Sequence, residues 1–112
     1  MAASLITPQQ LVPEGITISF EACNVDGNFF LNSNGRYYII VLNTGTQKTV
    51  HVASPIECSQ GYTHPLDITI PATTGNISSG VFETGRFNDS NNYVQLTYPG
   101  GITGLTIAVI KF

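Results

Sequence analysis

The 112-residue chain carries little charge and contains no tryptophan. Only 10% of its residues are Asp, Glu, Lys or Arg, whereas soluble domains usually have about a quarter. Because a free-standing small domain normally needs more charge for solubility, this surface favours a protein that works against a larger assembly. The four basic residues are scattered and the net charge is −3. We therefore expect no nucleic-acid partner, since phosphate neutralisation requires a basic patch, and no anionic membrane partner.

Long apolar runs are also missing. No stretch approaches the ~20 residues that a membrane-spanning helix needs. The first residues lack the positive region and the apolar core of a secretory signal, which predicts synthesis and folding in a cytoplasm. In such a chain the two cysteines, Cys23 and Cys58, are expected to be free and buried, although a disulfide between them remains the alternative.

Residue spacings typical of catalytic or metal sites do not occur. The candidate ligands His51, Glu57, Cys58 and His64 lack the short recurring spacings of metal sites. No Gly-x-Ser-x-Gly elbow is present. Cys58 near His64 resembles a nucleophile with its base, but a core cysteine beside a loop histidine is the simpler interpretation. We predict a protein that is not an enzyme and that uses no cofactor or metal.

The chain does contain a β pattern. Residues 37–42 form an unbroken apolar run, rich in β-branched and aromatic side chains, which predicts a strand covered on both faces. Residues 48–53 alternate, with Val50 and Val52 on one face. The short Gly-containing loop between these segments predicts a β-hairpin at the centre of a sheet.

Other segments alternate in the same way and are separated by turn residues every ~8–12 positions. In residues 16–21 we expect Ile16, Ile18 and Phe20 to point inward. Further strands are predicted at residues 66–70, 76–83, 93–98 and 105–112. The predicted fold is all-β: a single-domain antiparallel β-sandwich of about seven or eight strands, Greek-key or jelly-roll-like, over residues 16–112.

Residues 1–15 are predicted to form an extended N-terminal arm. Pro8 and Pro13 discourage both helix and central strand. The apolar side chains of the arm are Leu5, Ile6, Leu11 and Val12. Two interpretations stay open: the arm lies against its own domain, or it docks on a neighbouring subunit. In the second case these four side chains are the partner-binding residues, and deleting residues 1–12 should weaken binding without unfolding the domain.

From Gly35 to the last strand the chain resembles a family of small all-β proteins encoded near the capsid genes of tailed bacteriophages and prophages. The elements that carry the resemblance are residues 34–36, 50–55, 70–72, 80–82, 86–89, 94–98 and 105–109. The chain departs from the family pattern at Thr73 and Val81, where Gly and Pro are usual, and its first 30 residues show no match.

The resemblance implies a head decoration (cement) protein that binds the outside of the capsid in the virion. Its implied partners are the major capsid protein and further copies of itself, with a trimer favoured. One alternative is a head–tail adaptor or tail component. An alternative of another class is a carbohydrate- or receptor-binding module that uses the tyrosines, which are Tyr37, Tyr38, Tyr62, Tyr93 and Tyr98.

Overall fold

The computed structural model describes residues 3–57 and 59–112. Within these residues the chain forms ten strands and one short helix. The elements are β1 (Ser4–Leu5), β2 (Gln9–Gln10), β3 (Glu21–Ala22), β4 (Asn28–Leu31), β5 (Tyr37–Asn43), β6 (Lys48–Val52), β7 (Leu66–Ile70), β8 (Gly75–Gly80), α1 (Thr84–Phe87), β9 (Tyr93–Thr97) and β10 (Leu105–Lys111). The all-β prediction is confirmed. The radius of gyration, 13.8 Å, is that of one compact domain of this length.

The strands form two mixed sheets of five strands each. The first has the order β1-β4-β9-β6-β7, and the second has the order β2-β10-β5-β8 with β3 also paired to β10. The β1–β4 and β2–β10 pairs are parallel, so the prediction of a purely antiparallel domain is wrong. Both parallel strands belong to the N-terminal segment. That segment joins strands far away in sequence, and such pairs are not restricted to the antiparallel direction of a tight hairpin.

Residues 37–52 contain the two predicted long strands but not the predicted hairpin. β5 pairs with β10 and β8, whereas β6 pairs with β7 and β9. The loop between them therefore carries the chain from one sheet to the other.

The buried Asn43 side chain holds the loop between β5 and β6 in place. Its Oδ1 accepts the Gly45 N–H at 2.9 Å, and its Nδ2 donates to the Thr46 carbonyl at 2.7 Å. The same Nδ2 donates to the Pro71 carbonyl at 3.0 Å. A side chain that satisfies three backbone groups offers the loop an alternative to a hairpin turn.

Side chains from both sheets form one hydrophobic cluster. It includes Phe30, Val50, Val52, Val94 and Leu96 from the first sheet and Tyr37, Ile39, Val41, Leu105, Ile107 and Val109 from the second. The inward face predicted for β6, which carries Val50 and Val52, is confirmed. Since full burial of one such side chain contributes about 1.5–3 kcal/mol, this cluster fixes which face of each strand points inward.

The predicted strand at residues 16–21 is wrong. β3 contains only Glu21–Ala22. Ile16 and Ile18 are half-buried, and Phe20 is exposed. β5 occupies one edge of β10 along its whole length, and β2 shares the other edge with β3. The alternating segment therefore has little free strand edge with which to pair.

The hydrogen bonds of the Asn43 side chain predict that Asn43→Ala destabilises the fold. The substitution leaves partly buried backbone groups of Gly45 and Pro71 without their side-chain partner, so we expect a loss of about 1–3 kcal/mol in the free energy of unfolding. Urea denaturation measures it. Asn76→Ala, at an exposed position of β8, is the matched control and should change stability by less than about 0.5 kcal/mol. Equal losses in the two variants would contradict the role assigned to Asn43.

Candidate partner-binding surface

The N-terminal segment begins along the edge of the first sheet. Ser4–Leu5 runs parallel to β4. The Ser4 N–H donates to the Gly27 carbonyl at 3.1 Å, and the Ile6 N–H donates to the Phe29 carbonyl at 2.8 Å. The segment therefore forms an added edge strand and does not extend freely from the domain.

The same segment then crosses to the edge of the second sheet. Gln9–Gln10 runs parallel to β10, and the Leu11 N–H donates to the Lys111 carbonyl at 2.8 Å. The Gln9 side chain also exchanges two hydrogen bonds with the Ser19 backbone, at 2.8 and 3.0 Å. Pro8, which lies at the crossing, has no N–H to place in either ladder. One short segment thus closes an edge of each sheet.

The four predicted partner-binding residues differ in how far they are buried. Ile6 is 1% exposed and belongs to the core cluster, so it does not face a partner in this structure. Leu5, Leu11 and Val12 are 52%, 43% and 37% exposed. Because successive side chains of an extended segment point to opposite faces, Leu5 and Ile6 lie on opposite sides of the arm. The structure leaves Leu5, Leu11 and Val12 as candidate contact residues.

Phe20 adds to this surface and was missed by the sequence interpretation. It is 36% exposed, although the alternation of residues 16–21 predicted an inward position. An open groove beside the arm is lined by Leu5, Thr7, Pro8, Gln9, Ser19, Phe20 and Glu21. No local sequence signal identifies Phe20, because its exposure depends on which strands occupy the edges of β10.

A buried asparagine holds the start of the arm. Asn28 Nδ2 donates to the Ser4 carbonyl at 3.2 Å. Its Oδ1 accepts the Asn24 N–H at 3.0 Å and the Tyr98 hydroxyl at 2.7 Å. Tyr98 also contacts Cys23, a buried free thiol whose pKa burial raises to about 11. The thiol stays protonated at neutral pH and is a poor nucleophile, so this cluster is structural.

Residues 86–89, which contribute to the sequence resemblance, form a packing corner at α1. Phe87 is buried beneath the Arg86 guanidinium, which lies 4.6 Å from the ring centroid. Asn88 exchanges two hydrogen bonds with Asn32, at 2.9 Å between the side chains and 2.7 Å to the Asn32 carbonyl. These contacts explain the motif by packing and do not define a binding site.

Asp89 closes the turn that follows this corner. Its Oδ1 accepts the backbone N–H groups of Asn91 and Tyr93 at 2.8 and 3.0 Å. Its Oδ2 accepts the Gln95 amide at 2.9 Å. Burial acts to raise the pKa of the Asp89 carboxyl, but the three hydrogen bonds together outweigh it and lower the pKa below its usual value of 3.8.

The residues considered for chemistry are not assembled into a site in the described part of the chain. His51 faces outward as expected, with its Nδ1 2.6 Å from Asp67 Oδ1 on β7. The described residues contain no group of three or more His, Cys, Asp or Glu side chains that could hold a metal ion. The Cys58–His64 pair lies outside the described residues because Cys58 does, whereas Cys23 is free and buried as expected.

The tyrosines are divided between core and surface. Tyr37 and Tyr98 are only 5% and 7% exposed, whereas Tyr62 is 66% exposed. Tyr38 and Tyr93 are half-buried, and Tyr93 packs edge-on against Phe29. Two of the five rings therefore cannot belong to an exposed sugar-binding platform.

Comparisons with protein-family models, curated proteins and solved structures found no match to the chain. Among the residues that the structure describes, no helix is long and apolar enough to cross a membrane. Function must therefore be argued from the sequence pattern and from the surface described above.

The opposite orientations of two neighbouring arm residues predict opposite outcomes for the same substitution. Ile6→Ala removes core packing and should lower the free energy of unfolding by about 2–5 kcal/mol. Leu5→Ala, at the exposed neighbour, should change it by less than about 0.5 kcal/mol. Chemical denaturation of both variants measures the difference. Similar values for the two variants would mean that the arm is not seated as described.

Asp89 predicts a pH dependence of stability. Because its pKa is lower in the folded state than in the unfolded chain, it stabilises the fold above the unfolded value of about 3.9, and this contribution is lost as the pH falls through the folded value. Asp89→Asn should therefore be less stable than the parent near neutral pH, and the difference should shrink below about pH 4.

Urea midpoints measured across this pH range test the effect. Glu14→Gln, at an exposed position between β2 and β3, controls for the loss of one negative charge. A difference between parent and Asp89→Asn that stays constant down to the lowest pH would contradict the assignment.

Proposed function

We propose that this protein is a structural virion component that binds the outer surface of a tailed-phage capsid and stabilises it as a decoration protein. The observation that carries the proposal is the exposed side of the arm. There a small, weakly charged all-β domain leaves Leu5, Leu11 and Val12 in solvent. The resemblance of residues 34–109 to phage head proteins supplies the class of partner, which is the major capsid protein.

The charge distribution along the chain supports this use of the arm. Residues 1–13 contain no Asp, Glu, Lys or Arg. Covering the arm with coat protein would therefore remove apolar surface from water without burying an unpaired charge, which is the usual penalty at an interface. Apolar area contributes roughly 25 cal/mol per Å² when it is buried.

The proposed mechanism is linkage. A protein that binds the assembled shell and not the free coat subunit adds its binding free energy to the shell alone, so the shell is stabilised relative to its parts. Weak contacts suffice when many copies act on one particle. We further propose that the protein binds as a homotrimer, which would match three-fold positions of a closed shell.

For the finer architecture we propose a β-sandwich with a Greek-key or jelly-roll path. The shared core cluster of the two sheets supports it. In this arrangement the arm passes over one open side of the sandwich.

The rival functions differ in what they need from the surface. A head–tail adaptor or tail component would use the same exposed arm, but in a single ring. A carbohydrate- or receptor-binding module would depend on exposed aromatic rings, of which Tyr62 is the most exposed tyrosine among the described residues. A glycan array tests the second rival: binding that Tyr62→Ala abolishes would replace the capsid proposal.

The capsid proposal predicts a loss of shell binding when the arm surface is made polar. The variant L5S/L11S/V12S keeps Ile6 in place, unlike a deletion of residues 1–12, which would also remove Ile6 from the core. Co-sedimentation with head shells assembled from the major capsid protein of the same genome should show binding at least about tenfold weaker, or 1.4 kcal/mol.

A matched control removes the same number of exposed apolar side chains elsewhere. V25S/I56S/V81S changes residues that are 66%, 46% and 49% exposed. It should bind shells like the parent protein. Parental binding by the arm variant, or equal loss in the control, would contradict the proposed contact surface.

A further inference from the structure

The arm is attached to its domain by a small and separable set of contacts. Each of its strands is two residues long. Ile6 is the arm side chain that enters the core cluster. The segment can therefore leave its seat without rearranging the long strands β5 and β10, whose pairing with each other does not involve it.

The strand edges and the core position that the arm would leave are specific for the sequence of the arm. Without the arm, three backbone carbonyls lose their partner: that of Gly27 just before β4, that of Phe29 on β4 and that of Lys111 on β10. The Ile6 position in the core would also be empty. An unpaired strand edge beside an apolar cavity invites another strand, and the segment that fits these groups is the same arm from another copy of the chain.

The last residues of the arm are suited to act as a hinge. Residues 12–15 are all exposed. They turn through one backbone hydrogen bond, from the Gly15 N–H to the Val12 carbonyl at 2.9 Å. Gly15 has φ +87°, and no heavy atom lies within 4 Å of the position that a Cβ would take. Redirecting this segment would break few packing contacts.

We propose that the arm is exchanged between copies of this chain, so that residues 4–11 of one copy pair with β4 and β10 of its neighbour. An exchanged arm makes the same contacts as a seated one. The exchange therefore costs little beyond the entropy of association. The inference does not depend on capsid binding.

The length of the hinge restricts how two copies can meet. Four residues span at most about 14 Å when fully extended, whereas the molecule measures 39 × 35 × 25 Å. An arm cannot reach the far side of a neighbour. The two copies must therefore lie side by side at the edges where the arm is seated.

Disulfide trapping at Leu5 and Phe29, which are register partners on β1 and β4, tests the exchange. All variants carry Cys58→Ser, while Cys23 is buried. A tagged L5C protein is mixed with an untagged F29C protein, incubated at high concentration and oxidised. Exchange predicts a tagged–untagged disulfide dimer, which non-reducing electrophoresis detects.

Two controls make either result decisive. The double variant L5C/F29C, oxidised at high dilution, should form the disulfide within one chain and so show that the geometry permits the bond. A mixture of L5C with Y62C, whose cysteine is highly exposed but is not a partner of β1, measures disulfides formed by random collision. Exchange predicts several times more dimer with F29C than with Y62C.

Equal or lower yield with F29C, in a protein whose double variant closes within the chain, would overturn the proposal. Because no capsid shells are present, this failure would leave the proposed function standing. Conversely, a protein that fails to bind shells could still show exchange in this assay.

Discussion

The burial of Ile6 in the core is the contact on which the arrangement of the N-terminal segment depends. With Ile6 inside, the preceding residues pair with β4 and the following ones pair with β10. Both sheets thereby gain a covered edge, which protects them from unwanted pairing. Leu5 is then directed outward, since neighbouring side chains of an extended segment face opposite ways. One core contact thus determines which side of the arm is structural and which side is exposed.

The sequence leaves open whether the arm lies against its own domain or docks on a neighbouring subunit. In the structure the arm lies against its own domain, and it also presents an uncharged apolar side to solvent. In the proposed decoration role, this apolar side of the arm contacts the capsid shell. In the proposed exchange, the strand edges that bind the arm of their own chain would bind the arm of a neighbouring copy instead.

The sequence predicted the fold class and the inward face of β6, because alternation such as Val50 and Val52 directly reports a half-buried strand. It failed on pairing. The β5–β6 loop looks like a hairpin turn, but Asn43 bonds to a loop distant in sequence and directs β6 into the other sheet. Ile6 could not be told from Leu5, Leu11 or Val12, because a two-residue strand is too short to show a period. The exposure of Phe20 depends on which edges of β10 are occupied, and local sequence does not encode that.

The most direct test of the proposed function is the number of copies of this protein per purified virion, measured by quantitative mass spectrometry against the major capsid protein. The decoration role predicts a copy number comparable to that of the major capsid protein. A handful of copies, as a single ring at the tail vertex would hold, would assign the protein to the head–tail connection. Its absence from purified virions would contradict a structural virion role altogether.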